Sequence, residues 1–577
     1  MRDGGPSSVT SAEEQSRASR RAQDLMRPEH LAALPPSRLS ASRSLVNKML
    51  RERWRIELAR FEIDERGHGE ALYRIDAGTM TLEFMVFSFE PQLTGRTGRI
   101  IGVNWDMMGS LVEGTTTPAD FTHTLAEFPK LYAGRATPGT LIWCRSNRSM
   151  RAFDATVESL AKGEQPSVDV LASIGYLMRN TGLDGNGTFG TRSFLALEPD
   201  HPLRVPYHAQ MLAAYMMREF SFDLVEHIAR QRNPAAARLA PGIRRFLGIG
   251  NGSALGLVFF VNNHPWLVDR WLVLRERALA HARSIEVDVD SPQLTHLLGL
   301  LDRAVGYYAE DRFSYQAFAD PRDIAEELRV VAVQLRERFA AGTSAPTTLG
   351  RIADELEQQI SVDALEVVNV LLIELVPDIA DELLEHLATS EILIRRPEMQ
   401  VGELLDLIER EYRWALEIDM SPESARRFVW YKSSDAEEPR RGPAEEVART
   451  AFDWDLDLPT HVQRVAGKLR ELPPELSVGE FLAQDPGERA WVQRIQGLAG
   501  HLLHSPHMNM LAEDFVPSRI VRLVNSAFHG IDKTLDGFGH YRQTNRGVVG
   551  LLFHGAPTRE DLAGGPIDWV YPSEPGA

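Results

Sequence analysis

From Trp54 onward apolar residues recur at every second position. Trp54, Ile56 and Leu58 share one parity and Phe61 and Ile63 the other, so an extra residue between Leu58 and Phe61 marks a β-bulge. Leu72, Arg74 and the β-branched and aromatic run at 79–89 continue the strand texture. Turn chemistry at 64–69 and 76–78 separates the runs, as consecutive hairpins require. The pattern predicts an antiparallel meander of three or four strands, with 99–105 as the last.

After Gly114 the period changes from two to that of a helix. Thr117 and Ser167 stand where N-caps would, ahead of apolar patterns of helical spacing. The longest helical signals cover 202–231, 265–284 and 292–310, the last opened by Ser291 and a proline. Gly342 to Thr348 has linker composition and predicts a boundary. Ile352, Leu356 and Ile360 recur every fourth residue, and 364–376 is apolar almost all round, the mark of a helix buried on several sides. The polar stretch 432–443 reads as an exposed loop. The expected class is α+β, an antiparallel β-meander followed by a predominantly α-helical body of several units. The divisions are a disordered leader at 1–48, the β-element at 49–115, helical units at 116–341 and 349–431, a histidine-enriched helical unit at 444–557 and a tail at 558–577.

Composition narrows the partners. The chain has 577 residues, more than one hydrophobic core holds, with 43% hydrophobic and 25% charged residues. A net charge of -18 would repel a phosphate backbone, so nucleic acid is not an expected partner. No apolar run reaches bilayer length, which predicts no membrane partner. The single cysteine, Cys144, cannot close a disulfide within the chain and favours a cytoplasmic location. A homo-oligomer remains open.

One segment carries candidate chemistry. Between Arg179 and Arg192 four glycines fall within nine positions, interleaved with Asn180, Asp184, Asn186 and Thr188. Glycines free backbone amides for close approach to a ligand, and the flanking arginines supply positive charge, which together suit an anion. Gly250-Asn251-Gly252-Ser253 repeats the order Gly185-Asn186-Gly187-Thr188, and each run is followed by a His-Pro pair at a helix start. A duplicated loop-plus-helix unit would set two such loops to hold a carboxylate or phosphate at helix N-termini. The competing reading makes both runs tight connections in which Gly and Asn supply positive φ. Neither is a Walker A loop or a dinucleotide fingerprint. Arg145, Arg148 and Arg151 would share a face if helical and could extend the site.

Candidate acid/base residues follow the loops. His208 and His264 titrate near neutrality in principle, with Asp184 inside the first loop. Asp106 could orient such a histidine or form a turn. Six histidines lie in the last 77 residues, among them His501, His504 and His507, which offer weak ligands for a divalent metal or a capping cluster. Asp223/His227 and Glu382/His386 each pair an acid with a histidine four residues on, a spacing unlike the Glu-x-x-His of di-metal bundles. Cys144 reads as a buried small hydrophobe or, if its pKa were lowered, a nucleophile. The leading expectation is an enzyme of hydrolase or lyase type acting on a small anionic molecule. Arg179, Asn180, Asn186, Thr188, Arg192, Asn251 and Ser253 would bind it, and His208, His264 and Asp184 would move protons. The alternatives are a non-catalytic binding or scaffold protein and a His-ligated metal enzyme; the cofactor is otherwise unknown.

Overall fold

The computed structural model describes residues 20, 25, 35–90, 105–131, 140–181, 194, 197–251, 265–310, 320–340, 345–387, 396–419, 428–433, 440–443, 452–455, 458–500, 528, 530, 533–534 and 550–571. The fold is α+β. It opens with helix α1 (Ala41–Arg51), which overlaps the end of the segment whose Ser/Arg texture reads as a leader. That texture conceals an apolar stripe at helical spacing, Leu45, Val46, Met49 and Leu50, each at most 1% exposed.

Four antiparallel strands follow: β1 (Arg55–Ile63), β2 (Gly69–Asp76), β3 (Thr81–Ser88) and β4 (Met107–Glu113). The β1–β2 register shifts between Leu58 and Arg60, where the parity change predicts it. The fourth strand is Met107–Glu113, later than the 99–105 expected, of which 99–104 lie outside the described residues. Helix α2 (Pro118–Leu131) leads to strand β5 (Thr140–Arg148), then helix α3 (Met150–Ala161) to strand β6 (Tyr176–Thr181). Helix α4 (His208–Arg232) precedes strand β7 (Gly248–Asn251).

The remaining body is built from α5 (Pro265–Arg283), α6 (Pro292–Ala309), α7 (Pro321–Ala340), α8 (Leu349–Glu357), α9 (Val362–Ile373) and α10 (Pro377–Glu385). Ser291 stands at the N-cap position of α6 ahead of Pro292, and α9 is buried on most sides, as its apolar run demands. Where composition reads as a boundary at 342–348, the flanking helices share one core: Leu335 and Phe339 belong to the same cluster as Leu349 and Ile352. A short polar connection joins two helices that both need that core, and its composition does not reveal this.

A second core unites α11 (Val401–Glu411), α12 (Leu458–Arg470), α13 (Val478–Gln484) and α14 (Arg489–Leu498) around Leu404, Ile408, Val462, Val465 and Ile495. Of the expected loop at 432–443, residues 432–433 and 440–443 belong to the strands Phe428–Ser433 and Arg440–Pro443 of a three-stranded sheet with Phe452–Asp455, and 434–439 lie outside the described residues. Strands β8 (Lys533–Thr534) and β9 (Gly550–Leu552) return to the main sheet, whose order is β1-β2-β3-β4-β5-β6-β7-β9-β8. Its neighbours are antiparallel except β6 and β7, which run parallel. The sheet thus gathers strands from both ends of the chain, across the divisions expected from composition.

One sheet face carries the main core and is crossed by α4. The approach is close because β4 has Gly109 there, where a Cβ would lie 2.4 Å from the Phe84 ring and 2.9 Å from Met217 Cε. The other face carries a smaller cluster of Leu72, Met85, Phe87, Met108, Val112 and Trp143 under Phe121 of α2.

The C-terminal segment is strapped to α4. Tyr215 donates to Pro557 O at 3.0 Å, Arg559 pairs with Asp223, and Arg245 with Asp561. Residues 558–571, expected as a tail, therefore bury Thr558, Leu562, Trp569 and Tyr571. Within this strap burial pushes the Glu219 carboxyl up to about 7, against the pull of Arg218 and Arg559. The folded state holds that proton at pH values where the unfolded chain, with its ordinary value of 4.5, has released it. Stability is then greatest below the unfolded value and falls as pH rises from 4.5 towards 7, by about 3 kcal/mol across the window. Glu219→Gln is expected to flatten that decline in thermal melts taken across it; an unchanged slope would assign the decline to other groups.

Candidate functional site

The two glycine-rich runs leave the sheet side by side. β6 and β7 are parallel neighbours in which Arg179 pairs with Gly250 and Asn180 with Asn251, so 182–193 and 252–264 begin at adjacent strand ends. Each run is followed by a helix, α4 and α5, and β6, α4 and β7 form a βαβ crossover. The sequence shows no clear parallel strand ahead of the glycines, because β6 and β7 are only six and four residues long.

α4 runs antiparallel to these strands. Its C-terminal half meets the β1–β2 turn, where His227 Nε2 lies 3.1 Å from Asp64 O. Its first turn, at His208, therefore stands at the edge towards which β6 and β7 point. β4 ends at the same edge, at Glu113, and His201 Nε2 lies 3.1 Å from Glu113 Oε1. His201 Nδ1 accepts from Leu203 N at 3.0 Å, which places the ring proton on Nε2. This histidine–carboxylate pair joins residues 88 apart in sequence, so only the sheet could reveal it. Tyr207, just before α4, has φ +69°, a left-handed conformation that costs a non-glycine residue about 1 kcal/mol or more.

Alternation along β5 and β6 sorts the side chains at the strand ends. Ser146 lies opposite Asn180 and Asn147 opposite Arg179. Asn180 is fully buried with its side chain at the Cys144 thiol, and the Ser146 hydroxyl has no hydrogen-bond partner among the described residues. An unpaired buried polar group costs about 1–3 kcal/mol. Arg179 is half-buried. Arg145 is fully buried and stacked on Trp105, with its guanidinium carbon 4.2 Å from the ring centroid. The expected row of three arginines is not a row: Arg145 and Arg148 are on a strand, where a spacing of three sends side chains to opposite faces, and Arg151 begins α3. Arg148 donates to Gly67 O at 3.0 Å.

The other candidates fall in different places. His208 is 1% exposed, its Nε2 is 2.9 Å from Ser44 Oγ, and burial, helped by the charges of Lys48 and Arg51, holds it well below the usual imidazole range. It is a neutral histidine sealed in the core, placed to orient α1 against α4 rather than to exchange protons with a bound molecule. Burial likewise pushes the Cys144 thiol up to about 12, so it is no thiolate. Asp106 is buried and accepts from Arg148 N at 2.9 Å. Asp223 is taken by Arg559 and by the Tyr73 hydroxyl at 2.6 Å, away from His227, and His386 Nδ1 lies 2.8 Å from Glu382 O rather than its carboxylate. Of Asn251 the described geometry covers the strand register alone.

Asp184, Asn186, Thr188, Arg192, Ser253, His264, His501, His504 and His507 lie outside the described residues. Among the described residues no three His, Cys, Asp or Glu side chains are gathered to hold a metal, and no helix is long and apolar enough to cross a membrane. Gly250 also has a packing role, since a Cβ there would lie 2.9 Å from the Tyr176 ring. Two cavities, of about 390 and 340 Å³, are lined by other residues, one beside α1 and α10 and one between α13 and α14. Comparison with protein-family models, with curated proteins and with solved structures finds no match to this chain.

Proposed function

We propose that this protein is an enzyme acting on a small anionic metabolite, a carboxylate or phosphate, by acid/base chemistry of the hydrolase or lyase type, at the ends of β6 and β7. The observation that carries this reading is the parallel pairing that puts Asn180 beside Asn251, so that both glycine-rich runs start from one place. Ligands of α/β units bind beyond the carboxyl ends of parallel strands, where helix N-termini also direct partial positive charge. α4 brings its N-terminus to that edge. Arg179 and Arg192 would pair with the anion, and His201 with Glu113 takes the proton-moving role first expected of His208. A binding protein without catalysis is the second reading, favoured by the packing role of Gly250 under Tyr176.

Calorimetric titration with inorganic phosphate and with malate tests the site. Arg179→Gln and Arg192→Ala are each expected to weaken binding about tenfold or more, the worth of one charge-assisted hydrogen-bonded pair, with the melting temperature nearly unchanged. Loss of folding in step with loss of binding, or no binding by the parent protein, would sink the proposal.

A further inference from the structure

The cleft of about 390 Å³ lies between α1, the start of α10 and the C-terminal segment 566–570. Its charged groups are mostly satisfied by one another. Arg38 grips Asp381 with two bonds of 3.0 and 2.9 Å, Arg51 reaches the same carboxylate, Arg43 pairs with Glu374 at 2.5 Å, and Arg303 engages Asp568.

Two kinds of group are left over. Asp378, exposed at the rim on the first turn of α10, has no ion-pair partner among the described residues. At the floor, Asn47 is 8% exposed and accepts from Trp569 Nε1 at 3.1 Å, and its own amide N–H groups have no acceptor among the described residues. Nε of Arg43, 7% exposed, also has no acceptor among the described residues, and the guanidinium sits 5.5 Å from the Trp569 ring centroid. Leu50, Ile567 and Trp569 supply apolar lining.

A ligand that answers all three features carries a cation, an oxygen acceptor and an apolar body. The geometry points to a second binding site, distinct from the strand ends of β6 and β7, for a small zwitterion of the apolar α-amino-acid class. Its ammonium meets Asp378, its carboxylate takes the unused donors of Asn47 and Arg43, and its side chain covers the indole wall. The volume suits a molecule of that size.

Calorimetric titration of the full chain with L-phenylalanine and L-leucine tests the assignment, with phenethylammonium and hydrocinnamate as counterparts that each keep one charged end. At least one amino acid is expected to bind saturably, and each one-ended counterpart at least about fivefold more weakly than L-phenylalanine or L-leucine. Asp378→Asn should weaken the amino acid and phenethylammonium about fivefold while leaving hydrocinnamate unchanged. Ile567→Arg, at a position 38% exposed and therefore tolerant of a larger side chain, should block all of them while phosphate binding persists. No saturable heat from either amino acid, hydrocinnamate binding as tightly as L-phenylalanine, or an unchanged affinity in Asp378→Asn would each overturn the assignment.

Discussion

Arg218→Met is expected to destabilise the protein by about 4 kcal/mol, the largest loss among single substitutions in the strap. Arg218 is fully buried on α4, and its guanidinium is spent on backbone carbonyls from two distant segments. Nε donates to Leu247 O at 2.7 Å, Nη2 to Arg244 O at 2.9 Å and Ala556 O at 2.8 Å, and Nη1 to Pro557 O at 3.2 Å. The planar fork of five N–H donors lets one side chain hold a helix end, the approach to β7 and the C-terminal strap together. Methionine fills most of the volume but leaves those carbonyls without donors and removes one of the two cations beside Glu219, 3.0 Å away. Urea unfolding of the variant against the parent measures the loss. Arg351→Ala, in a pair exposed on the surface of α8, serves as the contrast and is expected to change stability by no more than about 0.5 kcal/mol. Comparable small losses in both would show that the carbonyl cluster is satisfied in another way once Arg218 is gone. Because Leu247 immediately precedes β7, the Arg218 variant should also loosen anion binding at the strand ends.

Glu366→Gln is expected to remove an acid-sensitive part of the stability worth about 3 kcal/mol. Glu366 lies on α9, 1% exposed, with Arg275 Nη2 at 2.8 Å and Arg20 on its other side. Burial alone would raise its pKa, but the two guanidinium groups overcome burial and lower it to about 2 from an ordinary 4.5. The folded state keeps this carboxylate charged where the unfolded chain has taken up a proton. Its contribution is therefore complete above pH 4.5 and disappears as pH falls towards 2, opposite in sign and window to that of Glu219. Melting temperatures across that acid range should fall steeply in the parent and shallowly in Glu366→Gln, which starts lower at neutral pH because Arg275 is left without its full partner. Parallel curves for the two proteins would rule out Glu366 as the source of acid lability.

Local chemistry made much of the secondary structure legible. The parity change after Leu58 gave the bulge, the turn residues gave the hairpins, and prolines at 265 and 292 opened helices within a residue of their expected ends. These features depend on neighbours a few positions apart, which a pattern of polar and apolar residues records. The glycine-rich runs also stood out, since their composition is unusual wherever they fold.

The partnerships needed the tertiary structure. The sequence could suggest that 185–188 and 250–253 echo one another, but only the pairing of Asn180 with Asn251 brings their starting points together. His208 looked like an acid/base group because it follows a glycine-rich run; packing of α1 over α4 makes it a sealed, neutral side chain, while His201 gains Glu113 from another strand. The Ser/Arg-rich start and the polar end of the chain, read as leader and tail, supply two walls of one cleft through Asn47 and Trp569, 522 residues apart. Periodicity along the chain by itself determined where helices and strands lie and which side of each is apolar. Which buried side chains meet, and hence which groups are charged, satisfied or left open to a ligand, was decided by the fold, because desolvation and Coulomb attraction depend on distance in space and not on separation along the chain.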